Sequence, residues 1–233
     1  MTRKFIVCIF KYYKLFLTRS AQMKTSSKND ANIYQLRTPL NGSTAGYDIV
    51  NLDALQPNVS SLRAQVLWPD GILSTLRGPW TIPDYLENPH IVVDKRKKAT
   101  LLDFFRRDGF IFITAKLKAI FDELAPGTCD YRLCKTEFSD GTPGVETWMC
   151  SPNEVFNDIV DLEASNISIS RSGSYSLLDG DWMVFRNDLS IKTHVFRVNQ
   201  SSTSIFCDEI FKSTCKLQKI RGIGFELIGE RSR

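Results

Sequence analysis

Asp158, Asp161 and Glu163 form the one acidic constellation with chemical potential in this 233-residue chain. On a strand, Asp161 and Glu163 would project from the same face; on a helix, Asp158 and Asp161 would. Either arrangement could serve a paired-carboxylate hydrolase or a hard-metal site. The alternative is a solvated face or a capping turn, helped by Ser165. His90 and His194 are the two histidines, and either could be a base, but His194 heads a strand run and reads as structural or half-exposed. The cysteines Cys8, Cys129, Cys134, Cys150, Cys207 and Cys215 fit none of the paired short spacings of a structural zinc site, so they read as reduced, mostly buried small side chains. Ser172-Gly173-Ser174 lies in a polar run without the strand-to-helix context of a nucleophile elbow. Gly222-x-Gly224 follows a helix where a phosphate-binding loop would open one, so it reads as a tight turn into the last strand. No catalytic residue, metal ligand or cofactor site is expected.

The elements that position these residues include a strand, cap and helix written twice. Residues 111–118 (IFITAKLK) lie over residues 205–212 (IFCDEIFK) without a gap. Each apolar run ends at a residue, Thr114 or Asp208, whose side-chain oxygen can accept from the first helical turn. Leu117, Ile120, Phe121 and Leu124 then make one apolar stripe, stopped by Ala125-Pro126-Gly127. The second helix is weaker, with a stripe of only Phe211, Thr214 and Cys215. Thr100 and Asp103 predict a further short helix over 101–107 in a capping-box pattern. Residues 129–138 read as one strand, turning at Asp140-Gly141 and returning over 144–150; Leu177-Leu178 and 182–185 read as a second hairpin. Residues 194–198 and 203–207 add two strands. Between Asn32 and Asp94, short runs at 33–36, 47–50, 65–68 and 90–93 are broken by prolines and predict edge strands and long loops. The fold class is α+β, mainly antiparallel sheet with a few short helices.

Composition sets the organisation. Arg3, Lys4, Lys11, Lys14, Arg19, Lys24 and Lys28 precede the first acid, and without these seven the chain carries 23 basic and 26 acidic residues. The remainder is mildly acidic, which argues against a phosphate-neutralising nucleic-acid domain and suits a basic partner. Residues 1–30 read as a basic extension, with Met23 a candidate start. The apolar run 5–10 is too short to cross a bilayer, and peripheral contact with an anionic membrane surface is a minor alternative. Residues 31–98 read as a strand- and loop-rich part, closed by the solvated connector 94–98. It is expected to pack with 99–233 as one domain.

Several pieces in order carry a resemblance over roughly residues 100–229. They are 109–114 with its helix, the Trp148 strand, the stretch 158–165, the strand 196–198, and the Asp208 helix closing on 222–225. Together they resemble immunity protein family eleven of bacterial polymorphic toxin systems. The resemblance implies a cytoplasmic antidote that neutralises a cognate toxin by occlusion, without catalysis. Trp148, Trp182, Asp158, Asp161 and Glu163 are the candidate contact residues. A hydrolase built on the three acids, and a membrane-peripheral protein acting through residues 4–19, are the alternatives. The toxin's identity and the oligomeric state are not legible.

Overall fold

The apolar runs become strands here, and the segments that follow Thr114 and Asp208 become α-helices. The structure, a computed structural model, describes residues 32–38, 44, 46–55, 82, 85, 87–97, 101–107, 110–171, 173–178, 180–186 and 192–231. The expectations for residues 1–30 and for the 65–68 strand lie outside these.

A seven-stranded sheet has the spatial order β10 (Val160–Asn166), β13 (Trp182–Phe185), β16 (Gly224–Arg231), β1 (Asn32–Arg37), β15 (Ser201–Asp208), β14 (Val195–Val198) and β9 (Val155–Phe156). A four-stranded sheet has the order β4 (Phe104–Arg107), β5 (Phe110–Thr114), β8 (Thr147–Pro152) and β6 (Cys129–Leu133). A three-stranded sheet joins β2 (Tyr47–Ile49), β3 (His90–Val93) and β7 (Lys135–Phe138), and a small hairpin pairs β11 (Ser168–Ile169) with β12 (Tyr175–Ser176). Parallel pairing occurs only at β13·β16, β14·β9 and β3·β7 among the described strands. The protein is α+β with mainly antiparallel sheet.

Two-residue alternation distributes these strands among three cores. Phe110 and Phe112 of β5 face a cluster with Tyr47, Ile91, Phe105 and Met149, while Ile111 and Ile113 face another. That second cluster is the central one. It also takes Tyr34 and Leu36 of β1, Ile205 and Cys207 of β15, and the buried stripes of both helices. Helix α1 (Ala115–Leu124) contributes Leu117, Ile120 and Phe121; α2 (Glu209–Leu217) contributes Phe211 and Cys215. Phe121 meets Phe211 edge-on at 5.0 Å between ring centroids, which joins the helices. On the far face of the large sheet Phe185, Phe196 and Phe206 pack mutually, with Phe156, Ile167, Tyr175 and Leu177 against them.

Four local expectations are corrected. Residues 104–107 are strand, not helix, because Phe104 and Phe105 are buried in different cores and their backbone pairs with β5. Residues 129–138 are two strands: at Cys134 the chain leaves β8's sheet and joins β3. Residues 177–185 form no hairpin, since β12 pairs with β11 whereas β13 lies between β10 and β16. The run 33–36 is no edge strand either. β1 is central, paired with β15 on one side and β16 on the other, which gives its buried backbone N–H and C=O groups partners on both edges.

The caps also differ. Asp208 Oδ1 accepts from the Phe211 N–H at 3.1 Å. Thr114 makes no such bond; its hydroxyl instead donates to Asp103 Oδ1 at 3.0 Å. Asp103, expected in a helix, is a buried rivet. Its Oδ2 accepts from the Arg221 N–H at 2.9 Å and its carbonyl from the Thr114 N–H at 3.0 Å, tying β4 to the start of α1 and to the turn before β16. Gly222 completes that turn with φ +84, and a Cβ there would lie 2.2 Å from the Phe104 carbonyl oxygen.

Candidate functional site

The three acids lie along one border of the large sheet, but not as a facing set. Regular pairing of β10 with β13 breaks between Asp161, opposite Val184, and Asn166, opposite Trp182. The extra residues form a bulge, a common device at sheet edges. The Asp161 carboxylate holds it together: Oδ1 accepts from the N–H groups of Glu163 at 3.1 Å and Ala164 at 3.2 Å. Ser165 takes part as well, its hydroxyl donating to the Asp161 carbonyl and accepting from the Val184 N–H at 2.8 Å. The bulge removes the alternation that would have set Asp161 and Glu163 on one face. Asp158 stands apart in the preceding turn, in the left-handed region at φ 54, and accepts from Gln200 Nε2 at 3.1 Å. Glu163 and Leu162 are both exposed, Leu162 by 46% of its surface. The acids of this border therefore form no facing carboxylate pair, and a large apolar side chain stands in solvent between Asp161 and Glu163.

Trp182 is half-buried on the strand next to that bulge. Trp148 is elsewhere, on β8 of the four-stranded sheet. Its Nε1 donates to Glu146 Oε1 at 3.0 Å, its ring meets Tyr131 edge-on at 6.5 Å, and Lys118 Nζ lies 4.3 Å from the Tyr131 ring and 5.3 Å from Trp148. Thus four of the five candidates share the β10 border with its adjoining strand and turn, and Trp148 belongs to a separate aromatic patch.

The histidines are engaged in structure. His194 Nδ1 lies 2.7 Å from Asp208 Oδ2, the carboxylate that caps α2. His90 Nε2 lies 3.0 Å from Glu137 Oε1 across the β3·β7 pair. Among the described residues no three His, Cys, Asp or Glu side chains gather as a metal would need. A small cavity beneath β4 is lined by Leu102, Asp103, Thr114 and Arg221, but its carboxylate is the one already bonded to Thr114 and Arg221.

Sequence reasoning missed one buried charge. Arg197 is only 5% exposed in β14, and its Nε donates to the Pro152 carbonyl at 2.8 Å. Burial, with Arg106 nearby, pulls its pKa down to about 10. The apolar neighbours Phe196 and Val198 hide it in a run that reads as ordinary strand.

With this geometry in place, one comparison decides the family. The family model described as Immunity protein family (Imm11) matches residues 23–230. The chain belongs to that family. The Imm11 match begins well before residue 100, where the sequence resemblance starts, and so takes in β1, a central strand of the large sheet. All five candidate contact residues fall within the Imm11 span. No curated protein matches the chain. Among the described residues of this Imm11 protein, no helix is long and apolar enough to cross a membrane.

Proposed function

We propose that this immunity protein binds a cognate toxin and neutralises it by occlusion in the cytoplasm, breaking no bonds itself and needing neither nucleic acid nor membrane. Membership of the Imm11 family over residues 23–230 is the observation that carries this reading. The carboxylate roles support it: Asp161 is spent on its own bulge and Asp208 on a helix cap. The contact surface is the β10 border, where Asp158, Glu163 and the bulge closed by Asp161 flank exposed Leu162 beside Trp182. An acidic rim around apolar anchors suits a basic toxin face, with charge raising the encounter rate and buried aromatics holding the complex. Trp148 with Tyr131 forms a second, smaller patch for the same partner.

The test is co-expression with the product of the neighbouring gene, read as growth rescue and co-purification. Trp182→Ala is expected to weaken binding about tenfold or more. Asp158→Lys with Glu163→Lys slows association and reduces its salt dependence. A harmless neighbour, or toxicity that persists beside the folded protein, refutes the reading; full rescue with unchanged affinity in all these variants refutes the surface.

A further inference from the structure

One face of the large sheet carries apolar side chains that belong to none of the three cores. Alternation along β13 sends Met183 and Phe185 into the far core with Ile33 and Ile228, so Trp182 and Val184 point to the opposite face, the one on which α2 lies. On β16, Leu227 stands opposite Tyr34 of β1, whose ring belongs to the central core beneath α2, so Leu227 shares that face. Leu227 is 45% exposed, and Trp182 and Val184 are half-buried. Acids border this strip. Exposed Glu230 is in register with Val184, and Val184 stands opposite Asp161, at the root of the bulge that carries exposed Glu163. On the flank of α2, by contrast, charge is matched: Lys212 Nζ lies 2.9 Å from Glu209 Oε2, and Glu209 also accepts from the Tyr34 hydroxyl.

The place of α2 says what shape fits there. It packs over β1 and β15, and the next strands in the spatial order are β16 and β13. Packed helices lie about 10 Å apart and neighbouring strands about 4.8 Å, so a helix laid beside α2 comes to rest two strands over, on β16 and β13. We propose that the cognate toxin supplies that helix, with an apolar stripe on Leu227, Val184 and Trp182 and basic residues along the edge that faces Glu230 and Glu163. This rests on the toxin-binding reading and extends its surface from the β10 border onto the sheet face, with Trp182 common to both. The mode is an amphipathic helix laid in a groove, here walled by α2 on one side and by the β10 bulge on the other. Burial of the stripe holds the complex, and the acids on one side only fix which edge of the helix faces β10.

The experiment uses the full chain with the product of the neighbouring gene. Leu227→Glu sets a carboxylate against the apolar stripe and is expected to weaken binding about tenfold or more. Leu217→Glu is the matched control: Leu217 is 72% exposed on the outward side of α2, and its replacement leaves binding unchanged. Because Leu227 is itself exposed, the free Leu227→Glu protein is expected to unfold within about 2 °C of the unaltered chain. A photoreactive benzoylphenylalanine at position 182 or 227 is expected to link to toxin residues three, four or seven positions apart, the spacing of one helix face. Unchanged affinity in Leu227→Glu while Trp182→Ala weakens binding overturns the helix and leaves the border surface standing. Failure of the unaltered chain to form any complex overturns the toxin-binding reading and this inference with it. A loss of several degrees in the free Leu227→Glu protein would assign the face to the chain's own packing, and self-association of the unaltered chain that Leu227→Glu abolishes would assign it to a second copy; either result overturns the proposal.

Discussion

Gly222→Ala separates two effects that a glycine can hide. The backbone at 222 has φ +84, and an L side chain in this region costs about 1 kcal/mol or somewhat more. Space adds a second cost. The new Cβ would meet the Phe104 carbonyl oxygen at 2.2 Å and the Leu102 Cβ at 3.0 Å, with backbone as the nearer obstacle, so β4 or the turn must move. Overpacking of this kind costs about 1–3 kcal/mol. Gly141 is the matched control: its φ is +80, but nothing lies within 4 Å of an added Cβ. Gly141→Ala is therefore expected to cost about 1 kcal/mol and Gly222→Ala about 3 kcal/mol. For a chain of this size, thermal unfolding followed by circular dichroism should show losses of about 2–4 °C and about 6–12 °C. Equal losses in the two variants would refute the close docking of the 221–223 turn on β4, and with it the account of why a glycine stands at 222.

Further predictions follow from the buried and half-buried charges. Asp103→Ala strands the Thr114 hydroxyl and the Arg221 N–H and is expected to cost about 3 kcal/mol in urea unfolding, with Asp103→Asn retaining part of it; a loss under about 1 kcal/mol in the alanine variant contradicts the rivet. Asp161→Ala removes the acceptor that closes the bulge and is expected to cost about 1 kcal/mol. Hydrogen exchange at the Glu163 and Ala164 amides should rise in that variant, and unchanged exchange would count against the bulge. Glu209 accepts from Tyr34, Lys212 and Ser213; its burial raises the pKa, but these bonds outweigh it and leave the carboxyl below its ordinary value. A depressed carboxylate contributes stability that is full above the unfolded value of about 4.3 and lost as pH falls through the folded one. Glu209→Gln should thus lower stability at neutral pH and lessen its decline below that point. An unchanged slope on the acid side would rule this out.

Legibility followed the range of the interactions concerned. The α1 stripe is readable because Leu117, Ile120 and Phe121 repeat at the helix's own period. The Asp208 cap is readable because donor and acceptor are three residues apart. Phe104–Arg107 misleads because a capping-box pattern is local, whereas its strand character comes from pairing with β5 and from two phenylalanines buried in opposite cores. Of the candidate site, the residues are visible as types, but the 161–166 bulge is not, since it answers to β13 across the ladder. The burial of Arg197 leaves no signal in the sequence, because its partner, the Pro152 carbonyl, lies on another strand.

By itself the sequence determined the class: antiparallel-rich α+β, a helix where the period is 3.6, short strands between turn residues, and the ordered pieces that place the chain among immunity proteins. These depend on short-range periodicity and caps, which neighbouring residues specify. Only the tertiary structure decided that β1 lies at the centre of the large sheet, that Asp161 closes a bulge instead of facing Glu163, and that Arg197 is buried with its guanidinium on the Pro152 carbonyl. Those arrangements arise from pairing between residues far apart in the chain, where burial on both faces selects the register and no local pattern records the choice.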